Sequence, residues 1–368
     1  MKQLQIKPCD NTFFREGHVF AKDISGLIRT KDIAYPSTFF GAIFSAFLAQ
    51  NDDFRKKFLN SKKKDDAYKI LKIGKIYLQD KAQSLVYIPA PRDIFIGKKA
   101  NLHYGTFKEN NGILSIPFDY YLENPAEKEA EISDGYYVNI DKFHLYYRKK
   151  SRQNFTIKNR EEIFIKNQKT GIELGRDSKN VKEGLLYSLE QTEFNDSSMH
   201  DWNFVVEYEV NTQFIKEQYG SCVEDLSFGY LKLGGENKVA KFQVVENQDI
   251  QLFSEKDNEV CELHPNEKVK IIMLSPAILE NISGMKLGNQ LKIEALVTGK
   301  PIYIGGYDLM NRSAKTMKKG YAVGTVLLLK NVSQAKIPNI KKYLDEIFIN
   351  FIGKGFNQYI WIKESNYE

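Results

Sequence analysis

Two glycine loops are the first places in this 368-residue chain where the residue types allow contact with an anion. Gly234 and Gly235 stand between Lys232 and Lys238, and Gly353 and Gly355 enclose Lys354, with Phe356 following as a ring for stacking. Glycine adopts backbone angles closed to other residues and can present its N–H to a phosphate or a sugar edge. A plain turn before a strand needs the same residues, so each loop has two readings. A third polar segment, 169–190, carries Arg176, Lys179 and Lys182 before turning into the apolar run LLYSLE. Arginine can pair with phosphate and stack on a base; a long hairpin loop with an internal Arg176–Asp177 balance would look the same. Residues 142–182 hold a net charge of +8, against +6 for the whole chain. Within them, 142–160 has no acid, and Arg148, Lys149, Lys150 and Arg152 are interleaved with Phe143, Tyr146, Tyr147 and Phe155. Local positive charge mixed with rings is what a polyphosphate carrying flat bases requires; a solvated insertion is the competing reading. A last basic loop, Arg312, Lys315, Lys318 and Lys319, follows Gly305-Gly306 and suits phosphate contact or protein docking equally.

Catalytic signatures are missing. The chain has no G-x-x-x-x-G-K-[ST], H-E-x-x-H or G-x-S-x-G. His18, His103, His144, His200 and His264 are scattered with no neighbouring carboxylate pattern. A metal-independent ribonuclease needs an acid–base pair, and His18 beside Arg15 is the one histidine worth following. No clustered Asp/Glu set marks a two-metal site. Cys9, Cys222 and Cys261 are far apart and odd in number, against a disulfide framework or a zinc site. No metal and no cofactor is expected.

The elements that must hold these loops follow from periodicity. Hydrophobic residues make up 42% and charged residues 27%, a globular composition whose length predicts two domains. A strand is predicted near residues 4–9. A helix is predicted after Pro36, capped by Ser37 or Thr38, with Phe39, Phe40, Ile43, Phe44, Phe47 and Leu48 on one stripe. Gly41, Ala42, Ser45, Ala46 and Ala49 would let another backbone approach its flank. Strands are predicted at 72–80, 84–93, 184–194 and 203–210. At 212–245 and again at 338–363 the order is helix, glycine loop, final strand. Two βαββαβ units in tandem explain this: an α+β, ferredoxin-like or RRM-like fold, whose four-stranded sheet often binds RNA. The boundary is placed in 247–264. That gives a first domain at 1–255, with a basic and aromatic insertion at about 98–185, and a second at 256–368.

Taken together, NTFFREGHVF, YPSTFFGAIFSAFL, IPAPRD, KTGIELGRDSKNVKEGLLYSLE, LKLGGENKVA and GKPIYIGGYDL resemble, in order, the blocks of the RAMP protein that forms subunit three of the type III-B CRISPR (Cmr) effector. These blocks run from residue 11 to about 310, and GKGFNQ extends the match, although a longer glycine-rich stretch is the family pattern there. The resemblance implies two ferredoxin-like domains with large insertions, and a non-catalytic subunit that grips the 5′ handle of the guide RNA (crRNA). It implies a large polymerase-like palm subunit and an adjacent RAMP backbone subunit as partners, with target RNA met only indirectly. It carries RNA contact onto Arg15, Ser37, Thr38, Arg176, Lys179, Lys182, Gly234, Gly235, Gly353 and Gly355. Charge alone adds Arg148, Lys149, Lys150, Arg152 and Lys354.

Related type III-A subunits share weaker versions of the blocks, so the equivalent subunit there is an alternative. A guide-processing RAMP endoribonuclease using His18 is another, and a purely protein-docking scaffold a third. The N-terminus lacks an apolar leader, and no stretch approaches the length of a membrane span. A cytoplasmic protein without a membrane partner is expected.

Overall fold

Alternation of large apolar and polar residues builds the first sheet. In the computed structural model, residues 1–15, 27–61, 63–97, 102–124, 130–140, 143, 156–174, 181–245, 261–280, 285–308 and 313–364 are described; at 64, 172–174, 181–187, 307–308 and 364 this covers the backbone alone. We number β1 (Lys2–Pro8), α1 (Pro36–Gln50), β2 (Leu71–Asp80), β3 (Leu85–Pro89), β4 (Tyr136–Asn139), β5 (Ile157–Asn159), β6 (Phe164–Leu174), β7 (Val181–Phe194), β8 (Trp202–Val210), α2 (Thr212–Tyr219), β9 (Phe228–Lys232) and β10 (Val239–Val245). The eight-stranded sheet among these residues has the order β5-β4-β3-β2-β8-β1-β10-β9, antiparallel at every pairing. β6 and β7 form a separate long hairpin, flanked by the short strand Leu27–Ile28.

Further on come β11 (Lys268–Met273), β12 (Leu291–Val297), β13 (Ile302–Ile304), β14 (Lys318–Gly320), β15 (Val326–Asn331), α3 (Ile340–Ile347) and β16 (Tyr359–Glu364). The strand Lys286–Leu287, then β12, β15, β11 and β16 make a second antiparallel sheet in that order, while β13 and β14 pair with each other. The protein is thus mixed α+β and mostly sheet. No described helix lies between β11 and β12, where a complete βαββαβ unit would carry its first helix.

Each sheet buries both faces. In the first, Leu4, Ile6, Ile73, Phe204, Val206 and Tyr208 face α1, whose Phe39, Ile43 and Phe47 pack on them. In the second, Val269, Ile271, Leu327, Leu329 and Trp361 pack with Ile340 and Leu344 of α3. The opposite faces meet: Tyr77, Val86, Ile88, Val138 and Val205 of the first sheet share a core with Ile272, Val326, Ile360 and Ile362 of the second. The layers therefore run helix, sheet, sheet, helix, with the two sheets face to face. The middle of each sheet's inner surface is therefore the seam between the units.

Phe143, read from sequence as part of a basic, ring-bearing surface, is fully buried in that seam. The cap of α1 also differs from expectation. The helix begins at Pro36, with Tyr35 as N-cap and no side-chain cap bond, and Ser37 and Thr38 lie inside its first turn. Proline suits this position because it has no N–H to leave unpaired. Ala42 and Ala46 are buried, but Gly41, Ser45 and Ala49 face outward, and among the described residues none comes within 4 Å of where a Gly41 Cβ would stand.

Polar contacts also close the seam. Arg92, in the PAPRD turn after β3, donates from Nε to the Val323 carbonyl (3.2 Å) and pairs through Nη2 with Asp134 (2.6 Å). Its backbone N–H donates to the Gly324 carbonyl at 2.9 Å. Gly324 has φ +75°, and a Cβ there would lie 2.4 Å from the Ala90 carbonyl oxygen, so glycine is required. Lys270 of β11 reaches across to Asp93 at 3.0 Å, with both side chains nearly excluded from solvent, and its Nζ lies 5.1 Å from the Phe107 ring. Breaking such a pair from one side costs about 3–5 kcal/mol, whereas replacing both members with apolar groups is far milder. Lys270→Met is expected to lower unfolding stability by that amount in denaturant melts, and Lys270→Met with Asp93→Leu to recover most of it. Equal loss in the single and double variants would show that the pair does not seal the seam.

Candidate nucleic-acid interface

The strap formed by residues 12–15 and 30–36 organises the sequence-predicted contacts. Thr12 exchanges backbone hydrogen bonds with Thr192 of β7 (2.6 and 2.9 Å), and Lys31 N–H donates to the Phe14 carbonyl (2.9 Å). The Phe14 N–H is taken by the Thr30 hydroxyl at 2.8 Å. The strap then runs into α1. Arg15 lies on it, exposed, in a backbone bridge with Thr30.

The first glycine loop buttresses one end of the strap. Gly234 has φ +84°, and a Cβ there would sit 2.6 Å from the Phe13 carbonyl oxygen. The Gly235 N–H donates to that same carbonyl at 2.9 Å, so this amide is already used inside the fold. Its charges are also matched: Lys238 pairs with Asp10 (2.8 Å), and Glu236 accepts from Lys169 (3.4 Å) and Gln191 (3.0 Å). Lys166 of β6 anchors the strap through Asp32 (2.7 Å) and the Thr30 carbonyl (3.0 Å).

The second glycine loop meets the other end. Gly355, φ +81°, leaves no room for a Cβ, which would stand 2.8 Å from Pro36 Cβ and 2.9 Å from Ile73 Cγ2. The Gly353 carbonyl accepts from Ile73 N–H at 3.0 Å, which ties the loop to β2. Its own amides are engaged as well: Lys354 N–H donates to Phe351 (2.9 Å) and Gly355 N–H to Ile352 (3.2 Å). Phe356, expected as a stacking ring, is buried with Ile278 and Ile304. Asn357 beside it holds Ile278 through bonds of 2.7 and 2.9 Å. The two loops therefore share no contact residue: they stand at opposite ends of the strap rather than across one cradle of amides.

What the second loop does present is charge. Lys354 is half-buried, its Nζ lies 4.7 Å from the Tyr68 ring, and among the described residues Asp65 and Glu280 favour its charge from a distance without a direct salt bridge. Burial, then the nearby Lys318 and Lys315, hold its pKa below the usual lysine value. Lys318 lies 4.8 Å from the Phe351 ring and pairs with Glu280. The basic loop before β14 and the final glycine loop, separate in sequence, thus converge beside the first turn of α1. Ser37 and Thr38 lie in that turn, half-buried, and its aligned peptides place partial positive charge there. A polyanion is the ligand such a corner favours.

Arg148, Lys149, Lys150, Arg152, Arg176, Lys179 and His18 lie outside the described residues, and Lys182 is described only by its backbone in β7. β6 and β7 pair with a register shift between Ile172 and Leu174. Sequence reasoning missed two histidine–carboxylate contacts among the described residues, the looser being His264 Nε2 with Glu262 at 3.7 Å. His200 Nδ1 lies 2.6 Å from Asp80, a fully buried side chain 120 positions away. Asp80 also accepts from Asp201 N–H at 3.1 Å, and the group clamps the end of β2 to the start of β8.

A family model described as CRISPR-associated protein (Cas_Cmr3) matches residues 4–364. No curated protein matches. Among solved structures, a chain of the type III-B Cmr-beta complex bound to cognate target RNA is 17% identical, with a TM-score of 0.51 over 97% of this chain and 96% of that one. A chain from the same complex bound to cognate target RNA and AMPPnP is 16% identical, with a TM-score of 0.50 over 97% and 96%. At such identities the likeness is one of fold.

A lysine whose pKa is depressed carries a charge that the folded state disfavours relative to the unfolded chain. Lys354→Met is therefore expected to leave the melting temperature unchanged or raise it at neutral pH, while weakening binding of single-stranded RNA. A clear fall in melting temperature with unaltered RNA binding would mean that Lys354 is structural.

Proposed function

Because the chain belongs to the Cas_Cmr3 family of CRISPR-associated proteins, we propose that it is the non-catalytic guide-binding subunit of a type III-B Cmr effector. It grips the 5′ repeat handle of the crRNA and docks the large palm-domain subunit, with a RAMP backbone subunit alongside. The observation that carries the reading is the corner at α1. Lys354, Lys315 and Lys318 gather beside a helix N-terminus, and Lys318 and Lys315 weigh more on Lys354 than the nearby Asp65 and Glu280 do. Such an arrangement is unfavourable alone and favourable around phosphate.

The strand orders support the tandem ferredoxin-like reading. β10-β1-β8-β2 and β16-β11-β15-β12 have the same relative order, with the second unit lacking a described first helix. On this reading 1–255 and 256–368 are the two domains, and β4, β5 and the β6–β7 hairpin belong to the insertion in the first. Since the sheets bury each other, RNA is held at loops and at a helix end. Arg15, Arg176, Lys179 and Lys182 are assigned to the same polyanion from the strap and the hairpin, and Arg148, Lys149, Lys150 and Arg152 from the insertion.

Binding of handle-bearing guide RNA by the full chain should fall steeply with salt. For about six neutralised phosphates, log K against log salt has a slope of roughly −4. Reversing Lys315, Lys318 and Lys354 to Glu is expected to weaken retention and flatten that slope by roughly 2. Retention unchanged at several salt concentrations would remove the corner from the interface. Repeat RNA incubated with the protein without metal should stay intact; site-specific cuts lost on His18→Ala would make it a processing endoribonuclease instead.

A further inference from the structure

The hairpin of β9 and β10 presents a surface that nothing above uses. Its residues alternate cleanly. Leu231, Ala240 and Phe242 point into the core under α1, while Phe228, Tyr230, Lys232, Val239 and Lys241 point outward. Phe228 is 73% and Tyr230 69% exposed, too open for rings that serve packing alone. The register sets Tyr230 opposite Lys241, Phe228 opposite Gln243 and Lys232 opposite Val239. Gly229, between the rings, faces the other way, and a Cβ there would meet Phe242 at 3.3 Å.

We propose that this strip is a stacking platform for single-stranded nucleic acid, with Phe228 and Tyr230 under successive bases and Lys241 and Lys232 on the phosphates. The proposal rests on the guide-binding reading and adds a site to it. Residues two apart on a strand are about 6.8 Å apart on one face, close to the step of an extended, unstacked single strand. The strip carries no carboxylate. Neither Lys241 nor Lys232 forms an ion pair with a described residue, and Lys232 Nζ donates only to Asn237, at 3.1 Å. Lysine is depleted at the centre of protein interfaces, whereas rings beside free cations suit nucleic acid. Gln243 borders the strip and is held by a 2.6 Å bond from its Nε2 to Gln5 Oε1, which fixes the floor beside Phe228. The strip also leads to the Gly234-Gly235 turn at the hairpin tip and hence to Arg15 on the strap, so one strand can pass from the platform to the strap. Stacking ignores base identity and the 2′-hydroxyl, so the site should accept RNA and DNA alike.

The test uses the full chain with fluorescent rU and dT oligonucleotides. Tyr230→Ala and Phe228→Ala should each weaken binding about 5- to 100-fold, with Tyr230→Phe close to wild type. Unchanged circular dichroism and melting temperature would exclude misfolding. Oligonucleotides carrying 5-iodouridine should photocrosslink to the peptide containing Tyr230. If the double alanine variant binds as wild type while the Lys315/Lys318/Lys354 reversal still weakens binding, the platform is overturned and the guide-binding reading stands. Intact RNA binding with failure to assemble with partner subunits would overturn it in favour of a protein-docking face. If the wild-type chain binds neither oligonucleotide nor guide RNA, both readings fall.

Discussion

The packing of the two sheets against each other governs the rest of the molecule. Ile272, Ile360 and Ile362 meet Val86, Ile88 and Val205 across a seam that also holds the Lys270–Asp93 pair. Such a pair is unfavourable to bury unless each charge is met closely, and Phe107 and the PAPRD turn supply the enclosure. Once the central strands are sealed on both faces, neither sheet can offer its middle to a ligand. What remains are the sheet edges, the helix ends and the loops, and these are where the unmatched cations and exposed rings occur.

The glycine loops show how backbone constraint positions charge. Gly234 yields space to the Phe13 carbonyl and Gly355 to Pro36 and Ile73. Both are packing requirements, and the amides nearby are spent on internal partners. Their effect is indirect. One fixes the strap that carries Arg15, and the other fixes the turn that carries Lys354 beside α1. Conformational freedom at a glycine is thus used to bring a neighbouring cation to a defined place.

Much of the element plan is legible in the sequence because it follows from short-range periodicity. The final strand Tyr359–Glu364 and the helix Thr212–Tyr219 stand in the segments where the order helix, glycine loop, final strand is predicted, the helix being capped by Asn211 and ended by Gly220. The sequence of α1 also announces a buried helix. What periodicity cannot reveal is which surface an apolar residue meets. Phe143 and Phe356 look like stacking rings in their local context and are both core, whereas Phe228 and Tyr230 look like ordinary strand residues and are exposed. Long-range convergence is equally silent: Lys315 and Lys354 meet only because β13, β14 and the last turn fold onto α1, and His200 finds Asp80 across 120 positions. The basic character of residues 312–319 is visible in the sequence; its joining with the final glycine loop is a product of the fold.

The corner at α1 has a thermodynamic logic of its own. Helix N-terminus, Lys354, Lys315 and Lys318 all carry the same sign, and desolvation makes the charge on Lys354 harder to hold. Glu280 pairs with Lys318 and, with Asp65, offsets part of this repulsion, but Lys354 itself has no direct salt bridge to a described carboxylate, unlike Lys238 with Asp10 and Lys169 with Glu236. Leaving Lys354 without one keeps a fixed positive potential in a half-dry corner, where an arriving phosphate gains more than it would over open solvent. The same contrast separates the two glycine loops: beside Gly234-Gly235, Lys238 is already paired with Asp10 and the loop braces the strap, while at Gly353-Lys354-Gly355 the cation has no direct salt bridge to a described residue.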